Sequence, residues 1–354
     1  MARCAADARK GDIVRSERGI GTSRTAIGMI AAVLLFGPAL AAAQSTEGEV
    51  VVYTAAQSTI VQAIGPLFEQ KTGIKVRFVE GGTGEILKRA RAEAANPLGD
   101  VLWALGAEGM AANADLLEAY TVTDDPKIAA IYKKGMAGGR ITPNNVTPMV
   151  IVYNRKLLPE TEAPKTWRSL AEGRWKDKIA YAAADKSGSS YTILATLLTV
   201  FGDNDAGWKV VEDIMHNAKI LPSSSRVPKG VADGEYEAGL TYEDAAMRQV
   251  KGGAPVGVVY PQDGTSIPPD GSAILKGTKH PKAARAFMDF AVSKDVMDLL
   301  AQKFELRSAR TDVGAPAGFP PIDTIKAVPY DMEWAGKSYA TLIKRWQDII
   351  VRVK

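Results

Sequence analysis

Apolar and polar residues along the chain form blocks that predict strands and helices in alternation. The runs Val50–Thr54 and Ile74–Val79 are short, continuous and rich in β-branched residues, which is typical of buried strands. Between them, apolar residues from Ile60 to Phe68 recur at helical spacing, and Gly73 is placed to end that helix. Strand, helix and strand in this order predict a βαβ unit at the start of the folded chain.

The same alternation continues to the end of the sequence. Further strands are predicted at Asp100–Trp103, Asn145–Asn154, Lys178–Ala182, Lys219–Leu221, Ala238–Tyr242, Val256–Tyr260 and Ser272–Leu275, the last after a turn at Pro268–Gly271. Further helices are predicted at Ile86–Ala94, Ile193–Phe201, Asp205–Asn217, Pro281–Phe304 (as two helices) and Glu333–Val353. Two such runs, separated by one long strand, predict an α/β protein of two lobes with parallel sheets.

An export signal is predicted ahead of the first strand. Arg24 precedes an apolar run from Ala26 to Phe36, Gly37-Pro38 ends the run, and Ala41–Ala43 supplies small residues for cleavage. The apolar run is too short to cross a bilayer, which takes roughly 20 residues, so residues 1–43 are interpreted as a cleaved signal peptide. No cysteine follows the small residues. We therefore expect a periplasmic protein without a lipid anchor.

Charge and composition narrow the function further. The formal charge of the chain is +4, but basic residues outnumber acidic ones before Gln44, and the remainder carries about +1, too little to indicate a nucleic-acid partner. The single cysteine, Cys4, lies in the predicted signal peptide, so disulfides and thiol catalysis are excluded from the mature chain. The two histidines, His216 and His280, are interpreted as solvated side chains.

The loops that follow predicted strands are the candidate ligand site. In open α/β sheets, ligands bind beyond the carboxyl ends of strands, where helices begin. These loops are rich in Ser, Thr and Gly, which favours capture of an anion by backbone N–H groups and hydroxyls. They are Thr54–Ser58, Glu80–Gly84, Trp103–Glu108, Ser187–Tyr191 and Thr241–Asp244, with Ser223–Arg226 and Gln262–Thr265 as further candidates.

Several loop residues allow more than one interpretation. Ser189 and Ser190 precede a long apolar helix and can hold an anion or act as an ordinary N-cap. Trp103 can stack on a ligand or fill the core. Glu243 and Asp244 are paired carboxylates at a strand end, where they can bind an amine or sugar hydroxyls, bind a metal ion, or face solvent.

The sequence contains no motif that indicates catalysis. The patterns GxSxG, HExxH, Walker A and SxxK are absent, and Gly81-Gly82-Thr83-Gly84 is not the dinucleotide fingerprint GxGxxG. We therefore expect no catalytic residue and no cofactor. A secreted hydrolase stays open as the alternative from another functional class.

Five segments carry a resemblance to a known family. They are VVVYTAAQSTIVQAIGPLFEQKTGIKV (residues 50–76), GDVLWALGAEG (99–109), VIVYNRKLL (150–158), SGSSYTILATLLTVFG (187–202), and the stretch from GLTYEDAAM to VVYPQDGTSIPPDGSAILKG (239–277). In this order and spacing the chain resembles bacterial extracellular solute-binding proteins of ABC importers, in the iron(III) and organophosphate branch. The resemblance covers essentially the whole chain after the predicted signal.

The resemblance implies a type II, Venus-flytrap periplasmic binding protein, with a ligand cleft between two lobes that are joined by two hinge-crossing strands. These strands are expected near Met149–Asn154 and Asp270–Lys276. Residues 44–149 and about 265–310 are expected to form lobe 1, residues 150–264 lobe 2, and residues 311–354 a C-terminal helical segment packed on the lobes. The resemblance also implies a monomer that delivers a small anionic solute to an inner-membrane ABC permease.

The resemblance narrows the ligand as well. Ferric binders of the family carry two adjacent tyrosines in lobe 2, whereas the matching segment here has one, Tyr242. The segment is more similar to relatives that bind hexose phosphates or 2-aminoethylphosphonate, so a small phosphorylated or phosphonate solute is expected; ferric iron, held by Tyr242 and Glu243, is the alternative. The expected ligand-binding residues are Thr54, Ala55, Gln57, Ser58, Gly82, Thr83, Trp103, Ser187, Ser189, Ser190, Tyr191, Ser224, Tyr242, Glu243 and Asp244.

Overall fold

The computed structural model describes residues 48–353. Its strands are β1 Glu49–Thr54, β2 Lys75–Glu80, β3 Val101–Gly106, β4 Leu117–Glu118, β5 Thr142–Val146, β6 Met149–Asn154, β7 Ile179–Ala182, β8 Ala218–Leu221, β9 Ala238–Tyr242, β10 Val256–Val259, β11 Pro269–Leu275 and β12 Arg307–Ser308. Its α-helices are α1 Ser58–Thr72, α2 Thr83–Ala92, α3 Ala107–Ala111, α4 Gly188–Phe201, α5 Asp205–Asn217, α6 Arg226–Ala232, α7 Glu243–Lys251, α8 Pro281–Ala291, α9 Lys294–Phe304, α10 Met332–Lys337 and α11 Tyr339–Val353.

The predicted signal peptide, residues 1–43, lies outside the described residues. Within residues 48–353, none of the helices combines the length and the apolar character that crossing a membrane requires.

The first sheet contains seven of the described strands, in the order β12, β5, β11, β3, β1 and β2, with β4 paired to β11. β1 runs parallel to β2 and β3, whereas β11 runs antiparallel to β3, β4 and β5. Val50 and Val52 of β1 belong to one core and Val51 and Tyr53 to another, on the opposite face. Burial on both faces explains the continuous apolar run of β1.

The second sheet contains five of the described strands, in the order β10, β6, β9, β7 and β8. β7 runs parallel to β8 and β9, and β6 runs antiparallel to β9 and β10. α4 and α5 pack on this sheet through a core that includes Trp167, Leu194 and Val211. Both sheets are therefore mixed, and the prediction of parallel sheets is wrong. The strands β6 and β11 are antiparallel to their neighbours because the chain reaches them by direct connections between the sheets and not by helical crossovers.

Two connections join the sheets and lie side by side. One links β5 to β6, and the other links β10 to β11. The Thr147 N–H donates to Pro268 O at 3.0 Å, and the Met149 N–H donates to Ser266 O at 3.1 Å. The strands predicted to cross between lobes are each confined to one sheet, β6 to the second and β11 to the first. The connections that precede these strands make the crossing.

The turn predicted at Pro268–Gly271 is wrong. β11 begins at Pro269 and continues through Gly271, with register shifts between Pro269 and Gly271 and between Gly271 and Ala273. Proline is tolerated as the first residue of a strand, and glycine is tolerated at irregular points of a ladder. The residues that suggested a turn therefore mark irregular pairing within a strand.

The carboxyl-terminal residues pack against both sheets. The single helix predicted at Glu333–Val353 is divided into α10 and α11, with Ser338 between them. Leu342 and Trp346 of α11 are buried in the core of the second sheet, while Met332 of α10 joins a core of the first sheet. This segment covers both halves of the molecule on the side of α3 and α5.

Candidate functional site

A cavity of about 630 Å³ lies between the two sheets. Its wall combines the loops after β1, β2 and β3 with the loops after β7, β8 and β9, together with residues of the two crossing connections. Eleven of the predicted ligand residues line it: Ala55, Gln57, Ser58, Gly82, Thr83, Trp103, Ser187, Ser189, Ser224, Tyr242 and Asp244. Residues from separate segments of the sequence are thus brought together where strands end and helices begin.

α1 starts at this cavity without an acidic residue in its first turn. The N–H groups of Ile60 and Val61 donate to Gln57 O at 2.8 and 3.1 Å. The N–H groups of Ser58 and Thr59 belong to the first turn, which has no carbonyl of its own helix to bond to. With the partial positive charge of the helix dipole, this end of α1 favours an anion.

α4 starts at the same cavity from the second sheet, and its first turn also has no acidic residue. The N-cap is Ser187, whose Oγ accepts the Ser190 N–H at 3.3 Å, so neither Ser189 nor Ser190 caps the helix. Gly188 and Ser189 provide the first-turn N–H groups at the cavity wall. The Ser189 hydroxyl lies 3.2 Å from Ser187 Oγ. Two helix starts from opposite sheets therefore present donors to one space.

Four of the predicted ligand residues lie outside the cavity wall. Thr54 is fully buried, and its Oγ1 accepts the N–H of Ala56 at 3.0 Å. Ser190 and Tyr191 are buried on the core side of α4. The sequence placed them beside Ser189, but successive helical residues turn by about 100° around the axis and face different surroundings. Glu243 is the fourth residue.

Glu243 forms a buried ion pair in place of the predicted ligand contact. Its carboxylate accepts Nε and Nη2 of Arg307 at 2.6 and 2.9 Å, and both side chains are almost fully buried. The Tyr260 hydroxyl donates to the same carboxylate at 2.5 Å. Because Arg307 lies in β12 of the first sheet, this bidentate pair joins the two halves. Its oxygen atoms are already engaged, so the structure does not present Glu243 to a ligand or a ferric ion.

Asp244 and Tyr242 do face the cavity. Asp244 pairs with Arg248 at 2.6 Å, and Arg248 also donates to Phe304 O at 2.9 Å. Burial raises the pKa of Asp244, and the Arg248 charge opposes that rise. The Tyr242 hydroxyl accepts from Gln57 Nε2 at 3.5 Å, and burial raises the pKa of Tyr242. Contacts between the sheets thus also form inside the cavity.

Asp270 and Asn145 are cavity residues that sequence analysis missed. The N–H and Nδ2 of Asn145 donate to Asp270 Oδ1 and Oδ2 at 2.9 and 3.3 Å. The pKa of Asp270 is raised to about 7, mainly because burial removes water from its carboxylate. The negative charge of Asp244 adds to the rise. Asn145 Oδ1 is buried without a hydrogen-bond partner. Both residues lie in segments read as a strand and a turn, which gave no sign of a ligand site.

Close contacts of the loops join the sheets at another part of the cavity. The Gly84 N–H donates to Lys186 O at 3.1 Å, and a Cβ at Gly82 would lie 2.2 Å from the same oxygen. Nearby, buried Glu108 accepts the hydroxyls of Thr192 and Tyr330 at 2.8 and 2.7 Å. Burial raises the pKa of Glu108. Only glycine fits at Gly82, because the Cβ of any other residue would overlap a backbone carbonyl oxygen of the opposite loop.

Trp103 takes part in both the core and the cavity. Its side chain is 1% exposed and packs edge-on against Phe287 at 5.7 Å between ring centroids. The same residue lines the cavity, and its Nε1 is buried without a hydrogen-bond partner. Sequence analysis left the choice between ligand and core open, and the structure buries the ring in the core while the residue also forms part of the cavity wall.

Charge in the described part of the cavity wall is predominantly negative. Five carboxylates line it, against two cationic side chains: Glu80, Glu85, Glu108, Asp244 and Asp270, with Lys186 and Arg248. Among residues 48–353, no group of three or more His, Cys, Asp or Glu side chains is arranged to hold a metal ion. His280 lies away from this wall; its Nδ1 is 3.0 Å from Asp100 Oδ2 and its side chain is largely buried, which corrects the expectation of a solvated histidine.

Comparison with known proteins places the fold in a family. The model of a family described as bacterial extracellular solute-binding protein matches residues 106–332. A putative 2-aminoethylphosphonate-binding periplasmic protein of Salmonella typhimurium is 31% identical over 182 residues, which cover 49% of this chain and 52% of that protein. The major ferric iron-binding protein of Neisseria meningitidis serogroup A is 26% identical over 277 residues, covering 74% of this chain and 81% of that protein.

A solved structure extends the similarity to the three-dimensional level. The periplasmic binding protein AfuA of Actinobacillus pleuropneumoniae, with fructose-6-phosphate bound, superposes with a TM-score of 0.82 at 25% identity. The match covers 86% of this chain and 99% of that structure. The two-sheet arrangement described above is therefore the type II, two-lobed fold of periplasmic binding proteins.

Proposed function

We propose a ligand class for this chain. The chain belongs to the bacterial extracellular solute-binding proteins and is the periplasmic binding component of an ABC transporter. The ligand is a small solute that carries a phosphonate or phosphate group, captured in the cavity between the sheets and delivered to the permease. The relatives that bind 2-aminoethylphosphonate and fructose-6-phosphate support this class, since both compounds carry such a group.

The paired starts of α1 and α4 are the observation that carries the proposal. Each helix contributes two first-turn N–H groups, and neither has an acidic residue in its first turn. Ser189 adds a hydroxyl, whereas the Ser58 hydroxyl donates to the carboxylate of Glu80. A tetrahedral oxyanion has enough oxygen atoms to accept from both helices at once. Because the helices belong to opposite sheets, an anion held by both would draw the two halves together.

We also propose the division of the chain into lobes and their motion. Residues 44–149 with about 265–310 form lobe 1, residues 150–264 form lobe 2, and residues 311–354 pack across them. The adjacent crossing connections at Thr147 and Pro268 would act as the hinge. The protein works as a periplasmic monomer after signal cleavage, without a lipid anchor and without catalytic activity.

Ferric iron is the second candidate, favoured by the excess of carboxylates in the cavity and by the ferric iron-binding relative. The local contacts support it less well. Asp244 is neutralised by Arg248 and Glu243 by Arg307, and Tyr242 stands as the single tyrosine among the described lining residues. The positive ends of α1 and α4 would also oppose a trivalent cation.

Ser189→Asp is the variant that tests the proposal. An acidic residue in the first turn of α4 is favourable for the helix dipole, so the variant is expected to fold with undiminished stability. Its negative charge would repel a phosphoryl group, so binding of phosphonates and phosphate esters is expected to be lost. Ser189→Asn is the matched control, since it has a similar shape without the charge and should retain most of the affinity.

Thermal unfolding with a panel of compounds measures ligand binding by the wild type and by both variants. It also distinguishes the phosphoryl ligand from ferric iron. A ligand at a hundredfold excess over its Kd stabilises the folded state by about 2.7 kcal/mol. We expect a shift with at least one phosphonate or phosphate ester in the wild type and in Ser189→Asn, and none in Ser189→Asp. A visible tyrosinate–iron band with ferric citrate and no shift with any phosphorylated compound would overturn the proposal in favour of iron; turnover of a bound compound would favour a hydrolase.

A further inference from the structure

The cavity has a second polar region whose chemistry is opposite to that of the starts of α1 and α4. It consists of Asp270, Asn145 and Asp244, and we name it the acceptor cluster. Asn145 and Asp270 come from β5 and β11 of the first sheet, while Asp244 comes from the start of α7 on the second sheet. All three line the cavity, and their side chains offer mainly acceptor atoms to it.

The acceptors of this cluster are incompletely satisfied. Asn145 is 2% exposed, and its Oδ1 has no hydrogen-bond partner. The partners of Asp270 are the neutral N–H groups of Asn145, at 2.9 and 3.3 Å. Burying an acceptor without a donor costs free energy, and burying a carboxylate without a cation costs more. A bound group that supplies several donors and a positive charge would remove both costs.

The charges of the acceptor cluster also favour a cationic group on the ligand. The negative charge of Asp244 opposes ionisation of Asp270 across the two sheets, while Arg248 compensates Asp244 through their 2.6 Å pair. One negative charge therefore remains in the cluster when both carboxylates are ionised. A single positive charge from a ligand would neutralise it and relieve the repulsion between the sheets.

We propose that the acceptor cluster binds a primary ammonium group on the same ligand whose phosphoryl group lies at α1 and α4. An ammonium supplies three donors, which match Asn145 Oδ1 and the carboxylates of Asp270 and Asp244. The preferred ligands are zwitterionic aminoalkyl phosphonates or phosphates, and hexose phosphates, which bring hydroxyls alone, are weaker ligands. This inference rests on the proposed function, because it concerns the other end of the same solute.

A comparison of matched compounds separates this inference from the proposed function. 2-Aminoethylphosphonate and propylphosphonate differ by an ammonium against a methyl group, and 2-hydroxyethylphosphonate offers a neutral donor in the same place. Titration calorimetry of the wild type is expected to show roughly tenfold or greater preference for the amine over either analogue. Equal affinity for all three compounds, or binding of none of them while another phosphate ester of the panel binds, would overturn the inference and leave the proposed function standing. Absence of binding by every phosphonate and phosphate ester of the panel would overturn both.

The variant Asp270→Asn tests whether Asp270 causes the preference for the amine. This variant keeps the shape and removes the charge, so the ratio of the affinities for 2-aminoethylphosphonate and propylphosphonate is expected to fall close to one. Asp213→Asn is the control, because it removes a carboxylate from the exposed face of α5, where Asp213 pairs with Lys209. A preference that persists in Asp270→Asn would overturn the assignment, as would its loss in Asp213→Asn. Asn145→Leu tests the orphaned oxygen and should reduce the same preference.

Discussion

Glu243 and Asp244 are adjacent in the sequence and have different surroundings in the structure. Glu243 is enclosed by Arg307 and Tyr260, while Asp244 faces the cavity beside Arg248. The sequence indicated that carboxylates gather at the end of β9, and this was sufficient to find Asp244. It could not assign Glu243, because its partner Arg307 is 64 residues away in the chain and joins it only through the tertiary fold.

Glu243→Gln is expected to destabilise the protein and leave ligand selectivity unchanged. It weakens a buried bidentate pair and leaves the Arg307 charge without an anion, which costs about 3–5 kcal/mol. Urea denaturation measures the loss. The double variant Glu243→Met with Arg307→Met is the control and should be more stable than the single variant, since no buried charge is left unpaired. Unchanged stability with altered selectivity would restore Glu243 as a ligand residue.

Asp270 is expected to make stability depend on pH. Its pKa rises from 3.8 to about 7 on folding, so between these values the folded protein keeps a proton that the unfolded chain has released. The contribution of this group to the free energy of unfolding therefore falls as the pH rises through that range and stays low above it. Asp270→Asn should be more stable than the wild type at pH 8, by about 2 kcal/mol after allowance for partial exposure.

The comparison at acidic pH provides the control for this prediction. Near pH 4 the wild-type side chain is protonated in the folded state, so Asp270→Asn should have nearly the stability of the wild type there. Urea denaturation at both pH values gives the two differences. If the difference between variant and wild type is the same at both, Asp270 titrates normally and the desolvation argument is wrong.

At the scale of elements, the contact between the loop after β2 and the loop after β7 decides how the sheets meet. Gly82 and Gly84 approach the backbone at Asp185 and Lys186 so closely that an added Cβ would lie 2.2 Å from a carbonyl oxygen at each. The sequence suggested a tight turn and close ligand approach at these glycines. It could not reveal the contact between loops, because Gly82 and Lys186 belong to opposite sheets.

Gly82→Ala is expected to reduce ligand affinity more than tenfold by separating these loops, since backbone atoms at the contact have little freedom to shift. Gly82 has an ordinary φ of −67°, so the substitution introduces no backbone strain of its own. Titration with the best compound of the panel measures the loss. Gly173→Ala is the control, because its Cβ would have nothing within 4 Å. Equal affinity in both variants would show that the contact is not needed for binding.

Patterns predicted the elements better than their pairing. The bounds of α5 and β9 match the sequence prediction, and Gly73 ends α1 in the left-handed region as expected. The prediction of a turn at Pro268–Gly271 was wrong, because proline and glycine occur both in turns and at irregular points of strands. Mixed sheets also escaped prediction, because strand direction depends on which sheet the chain enters and hydrophobic periodicity carries no information on that.

At the scale of the whole molecule, the cavity combines a donor region and an acceptor region, each built from both sheets. Ser58 and Ser189 mark the first, and Asp270 and Asp244 mark the second. A solute with a phosphoryl group and an ammonium would contact both sheets at both ends and so favour their approach. The order of motifs in the sequence was sufficient for the family and the cleft, whereas Asn145, Asp270 and Arg248 required the folded structure.

A crystal structure of the protein with the tightest-binding compound of the panel tests the central claim most directly. The account predicts the phosphorus atom between the starts of α1 and α4, with phosphoryl oxygens about 2.7–3.2 Å from the backbone nitrogens of Ser58 or Thr59 and of Gly188 or Ser189. A phosphoryl group seated away from both helix starts, or a ferric ion bound through Tyr242 in its place, would contradict it.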